Sequence, residues 1–129
     1  MTKAVDTQVG GDHYKNMKMQ PMELAYIVGG SPAFTKVAKY ITRKKDDRTL
    51  NLEKAIHCIQ FEFEHIRQRV ENYKTYLPTY TGDDIRTFSE QFENEEFVFS
   101  VLTKVINGFL QEAADEIDEF IANEDLTTY

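Results

Sequence analysis

Between residues 52 and 73 the apolar side chains recur in alternating steps of four and three: Leu52, Ile56, Ile59, Phe63, Ile66, Val70 and Tyr73. These matches to the helical period predict one amphipathic helix of roughly 24 residues. It should end before Pro78, whose ring cannot continue it. At ~1.5 Å per residue such a helix is about 36 Å long, so the rest of the chain has to pack along it. No segment alternates with period two over a useful length. The expected fold is therefore all-α, a compact single-domain bundle of about four to five helices, with one long central helix and a long C-terminal helix.

Local punctuation sets the other elements. Pro21 suits a first helical position, with Glu23 in the first turn, and predicts a helix to about Val28. Gly29-Gly30 ends it, and Ser31 (N-cap) with Pro32 (N1) starts the next. Asp46-Asp47-Arg48-Thr49 is a polar break, with Asn51 or Thr49 as the cap of the long helix. The polar residues 1–9 precede a basic half, 9–76. Residues 77–84 read as a linker, followed by a short helix near Asp84 carrying Ile85, Phe88 and Phe92. From Phe97 to Ile121 the apolar stripe is wide enough for a helix covered on two sides, by its own domain and by another subunit. Gly108 within it marks a kink or a close helix contact.

The second helix carries two faces. Phe34, Val37, Ala38 and Ile41 form a buried stripe. Lys36, Lys39, Tyr40 and Arg43 repeat the same spacing on another face, within about 11 Å of axis. A ring flanked by Lys and Arg suits a stacked base with its phosphates held by the cations. The same pattern is also that of a solvated basic face.

Charge is unevenly spread. The net charge of −7 divides into +4 over residues 1–74 and −11 over residues 75–129. An acidic molecule is a poor nonspecific nucleic-acid binder, because phosphate neutralisation dominates that affinity; a small anion at a local basic site fits better. Complementary halves also favour head-to-tail association between copies. Together with the wide C-terminal stripe, in which Val101, Leu102, Val105, Ile106, Phe109 and Phe120 would lie partly bare on a monomer, this predicts a homo-oligomer with the C-terminal helices in the contact. The single cysteine, Cys58, rules out an internal disulfide, makes the cytosol the default compartment, and reads as a small core residue. No apolar run is long enough for a bilayer span, and residues 1–6 lack a signal-peptide pattern.

The chain has no P-loop, no cysteine pair and no His-Glu-x-x-His. It does have two acidic pairs at helical spacing: Glu90-x-x-Glu93 and, after 18 intervening residues, Glu112-x-x-Asp115, with Glu116 and Glu119 following. Four carboxylates from two adjacent helices could hold Mg²⁺ against a triphosphate. The spacing resembles the metal motif of all-α nucleotide pyrophosphohydrolases of the MazG kind. A solvated acidic face would look the same.

Four segments in order, Val9-Gly10-Gly11-Asp12-His13-Tyr14-Lys15, Gln20-Pro21-Met22-Glu23, Lys36-Val37-Ala38-Lys39-Tyr40-Ile41-Thr42-Arg43 and Leu52-Glu53-Lys54-Ala55-Ile56-His57, resemble a small tailed-bacteriophage family similar to the phage nucleotide kinases that lack a P-loop. The resemblance covers residues 9–66. It departs after Arg43, where Lys44-Lys45-Asp46-Asp47-Arg48-Thr49 stands in place of a Gly-rich connector. The resemblance implies phosphorylation of deoxynucleoside monophosphates by a nucleoside triphosphate donor, with or without Mg²⁺, in the host cytoplasm during infection.

Matched residues then take roles. Gly10 and Gly11 would let backbone N–H groups approach phosphate oxygens. Lys39 and Arg43 would clamp them. Tyr14 or Tyr40 would stack a base. Asp12 and His13 would orient the acceptor phosphate or shuttle a proton. Lys15, Lys36, Lys54 and His57 stand in support.

Overall fold

The computed structural model describes residues 17–44, 47–68 and 82–123, leaving the side chains of 66–68 aside. Among these residues all regular structure is helical: α1 Pro21–Val28, α2 Pro32–Thr42, α3 Arg48–Gln68, α4 Asp83–Ser89, α5 Glu95–Ile106 and α6 Leu110–Asn123. The all-α expectation holds, with more helices than the four to five expected.

Helix starts follow local chemistry. At α1, Pro21 opens the helix while the Gln20 N–H donates to Glu23 Oε1 at 3.2 Å, reaching back from the first turn. At α2, Ser31 Oγ accepts from the Phe34 N–H at 3.1 Å and Pro32 occupies the first turn. The start of α3 differs from expectation. Its cap is Asp47, whose Oδ1 accepts from the Leu50 N–H at 3.0 Å. Asn51 is instead buried inside the helix. A carboxylate accepts this bond with a full charge at the positive end of the helix, and so outcompetes Thr49.

The core centres on α2, which packs against α1, α3 and α5, while α6 lies against α3 and α5. Phe34, Val37, Ala38 and Ile41 are all essentially inaccessible, and meet Leu52, Ala55 and Ile59 of α3 and Val98, Val101 and Leu102 of α5 in one cluster. Three cross-helix neighbours fix how α2 and α3 run: Ser31 with Glu62, Lys36 with Cys58, and Tyr40 with Lys54. Position rises on one helix as it falls on the other, so the pair is antiparallel. The α3 stripe narrows towards its far end, where Phe63 is 40% and Phe61 67% exposed.

The C-terminal region is not one long helix. Asn107, Gly108 and Phe109 separate α5 from α6, and Gly108 has φ 84°, a left-handed conformation open to glycine without strain. The chain reverses there, with the Phe109 N–H bonded to Lys104 O at 2.8 Å, and α6 packs back on α5. The wide apolar stripe is therefore the two inner faces of a helical hairpin. Val101, Leu102, Val105 and Ile106 are buried within the chain, so this stripe no longer calls for a second subunit. Phe109, at the turn, stays 56% exposed.

Two substitutions test this packing. A Cβ at Gly30 would lie 2.5 Å from Cδ1 of the fully buried Phe34. Gly30→Ala should therefore cost about 1–3 kcal/mol in urea unfolding, as an overpacked core does. Val105→Glu places a charge where 2% of the side chain is accessible. It should cost about 3 kcal/mol or more and abolish the cooperative thermal transition rather than change the mass of a folded particle in light scattering.

Candidate functional site

The basic face of α2 comes together with the first half of α3 around one ring. Tyr40 is half-buried against the core, and the Nζ atoms of Lys39 and Lys54 each lie 5.7 Å from its centroid. Each ammonium is within the range of a cation–π contact. Two like charges sharing one ring can be no further apart than twice that distance, so an anion placed between them relieves repulsion. Lys36 sits one turn back on α2 and faces Cys58. Among the described residues none of Lys36, Lys39 and Lys54 forms an ion pair with a carboxylate. Most surface lysines have water as their alternative partner; two gathered at one aromatic ring, with a third one turn away, are a site an anion can use.

Arg43 does not continue the helical line of Lys36 and Lys39. It is the C-cap of α2, with extended backbone (φ −77°, ψ 124°). The expected one-turn clamp of Lys39 with Arg43 is thus a helix residue followed by a residue leaving the helix. His57 lies on α3 one turn beyond Lys54 and is exposed. Gly10, Gly11, Asp12, His13, Tyr14 and Lys15 lie outside the described residues.

Burial tunes two groups beside this face. The Cys58 thiol is pushed above its ordinary value by burial, against the opposing pull of Lys36. A raised thiol is a poor nucleophile, in keeping with a packing role. The Glu62 carboxyl is likewise raised by burial, partly offset by a hydrogen bond from Ser31 and by the charge of His65. Neither contact was legible in the sequence, since both depend on the α2–α3 register.

One anchor was also missed. The Gln91 side chain accepts from the Met19 N–H at 2.9 Å and donates to Met19 O at 3.0 Å and Phe88 O at 3.0 Å. It holds the chain just before α1 against the turn after α4, as a neighbouring strand would. A lone glutamine in a polar turn gives no sequence signal for this.

The acidic quartet does not converge. Glu90 is the C-cap of α4, Glu93 lies in the next turn, and both are exposed. Glu112 and Asp115 face solvent from α6, which packs chiefly on α3 and α5, and Asp115 accepts from Gln111 Nε2 at 2.9 Å. Among the described residues no three His, Cys, Asp or Glu side chains form a group able to hold a metal ion. Glu116 is engaged by Lys104 at 2.6 Å and by Ser100 Oγ at 2.7 Å. It lines a separate surface cleft of about 610 Å³ floored by the stacked rings of Phe97 and Phe120, 3.9 Å apart, with Glu96 and Glu119 at its edge. Arg86 ties down Glu96 and Glu95 and stacks on Phe99 at 3.6 Å.

Compared with models of known families, with curated proteins and with solved structures, the chain matches none significantly. Among the described residues no helix is long and apolar enough to cross a membrane.

Glu62 gives a pH test of the α2–α3 seam. Its folded-state pKa lies above the ordinary 4.5, so the folded protein holds the proton more tightly than the unfolded chain. Stability from this group is then present at low pH and lost as pH rises through the raised value. Glu62→Gln should raise the melting temperature at pH 7 and leave it unchanged near pH 4, read by circular dichroism at both.

Proposed function

We propose that the α2–α3 face binds the phosphates of a nucleotide, and that the chain is a deoxynucleoside monophosphate kinase lacking a P-loop, acting in the host cytoplasm during a phage infection. The observation that carries this reading is the pair Lys39 and Lys54 brought from two helices to the Tyr40 ring, with Lys36 one turn back on α2, none of the three in an ion pair with a described carboxylate. The four-segment resemblance supplies the reaction class.

The chemistry asks little covalent work of the protein. An oxygen of the acceptor monophosphate attacks the γ-phosphorus of the donor, the bond from that phosphorus to the β–γ bridging oxygen breaks, and two diphosphates leave. Catalysis is mostly positioning and charge neutralisation. Lysines supply point charges to non-bridging oxygens, and the half-buried Tyr40 ring would offer a base a stacking surface. Asp12 and His13 would orient the acceptor, with Gly10 and Gly11 bringing backbone N–H groups to it. Mg²⁺ would enter as counter-ion of the donor triphosphate rather than in a carboxylate cage built by the described residues.

Incubating the protein with each deoxynucleoside monophosphate and ATP or dATP, then separating the products, tests the reading. Diphosphate should form with at least one pair, and formation with none rejects the kinase. Lys39→Ala and Lys54→Ala should each weaken nucleotide binding about 10-fold to 100-fold in calorimetric titration, as loss of a charged hydrogen bond does. Binding without turnover would make the protein a nucleotide-sequestering module instead.

A further inference from the structure

The cations at the proposed site have a counterpart elsewhere on the same molecule. Along α6 the exposed side chains include Glu112, Asp115 and Glu119, spaced by three and then four residues. Lys36 and Lys39 lie on the outer side of α2, with Lys54 of α3 beside Tyr40, while Arg43 has left the helix. An acidic face and a basic face are thus carried on different helices, and α6 packs chiefly on α3 and α5 rather than on α2. Ion pairs with both partners among the described residues all lie within α4, α5 and α6: Arg86 with Glu95 and Glu96, and Lys104 with Glu116. Arg86 and Lys104 are the only two cations of residues 75–129. The acidic face of α6 therefore has no cation of its own half left to meet it.

We infer that a second copy of this chain docks there: the α6 face of one molecule lies on the lysine–tyrosine face of the next, its carboxylates standing where phosphate oxygens would stand. The pairing joins two different surfaces: it closes reciprocally as a two-fold dimer if both faces can meet at once, and runs head-to-tail otherwise. It is built from exposed charges, each weak on its own, so it is concentration-dependent and disperses with salt. This proposal rests on the nucleotide reading in one respect: a nucleotide held by Lys36, Lys39 and Lys54 occupies the docking face, so ligand and neighbour exclude each other.

Light scattering behind a sizing column tests it with the full chain over a concentration series. At about 0.01 M salt the mean mass should rise with concentration, and at about 1 M salt, where the Debye length shrinks to roughly 3 Å, it should return to the monomer. The double variants Glu112→Lys/Asp115→Lys and Lys36→Glu/Lys39→Glu should each be monomeric alone, and mixing the two should restore association. All four positions are solvent-accessible, and circular dichroism checks that the variants fold. A monomer at every concentration in low salt overturns the proposal, as does association that survives both charge reversals. In a last arm, dATP added at constant ionic strength should lower the mass. Binding of dATP with the mass unchanged overturns the shared face. Failure of any nucleotide to bind, with salt-sensitive association intact, strikes the functional reading and leaves the docking in place.

Discussion

One helix has to satisfy two demands at once. On its inner side α2 buries Phe34, Val37, Ala38 and Ile41 completely, at roughly 1.5–3 kcal/mol for each large side chain. On its outer side it carries Lys36, Lys39 and Tyr40, which the fold does not bury fully. These demands are compatible because the helical period keeps the two sets on different sides of one cylinder. Everything else arranges itself around that division. Helices α1, α3 and α5 close on the apolar side, and α3, running antiparallel, brings Lys54 beside Tyr40. Shifting α3 by a turn against α2 would strand Leu52 and Ile59 outside the core and remove Lys54 from the ring. Core packing and site assembly are thus one registration.

What the sequence disclosed follows from range. Caps built within four residues were readable: Pro21 with Glu23, and Ser31 with Pro32, are where the chain starts its first two helices. Asp47 was overlooked in favour of Thr49 and Asn51, because the apolar stripe begins at Leu52 while the helix itself begins four residues earlier, at Arg48. The C-terminal stripe was misread for a related reason. Periodicity reports that a surface is buried and is silent about what buries it, so two faces of one hairpin looked like a single helix facing a second subunit. Gly108, at φ 84°, was the available clue; a glycine can bend a helix or end it, and here it ends it.

The candidate site was half legible. Lys36, Lys39 and Tyr40 declared themselves through spacing on one helix. The nearness of Lys54 to Tyr40, of Cys58 to Lys36 and of Glu62 to Ser31 are tertiary facts that no window of one helix contains. Arg43 shows the converse: its spacing placed it on the helical face, and the backbone turns away at that residue. The acidic quartet failed on the same ground. Spacing of three within each pair was correct, but the first pair sits at the end of α4 and beyond it, and α4 packs chiefly with α1 and α5.

The charge distribution then becomes intelligible as a division of labour. In the acidic half, both available cations are spent on structure, Arg86 tying the start of α5 to α4 and Lys104 tying α5 to α6. In the basic half, the lysines at the Tyr40 ring are held close by geometry, with no carboxylate among the described residues paired to them. Like charges kept together raise the energy of the empty face, by little in water and by more as a ligand excludes water from between them. An arriving polyanion recovers that energy on binding, and more of it the more charges it brings. Under the proposed nucleotide reading, such a face would discriminate by charge before shape, a triphosphate would bind there more tightly than a monophosphate, and finer selectivity would have to come from residues that touch the base.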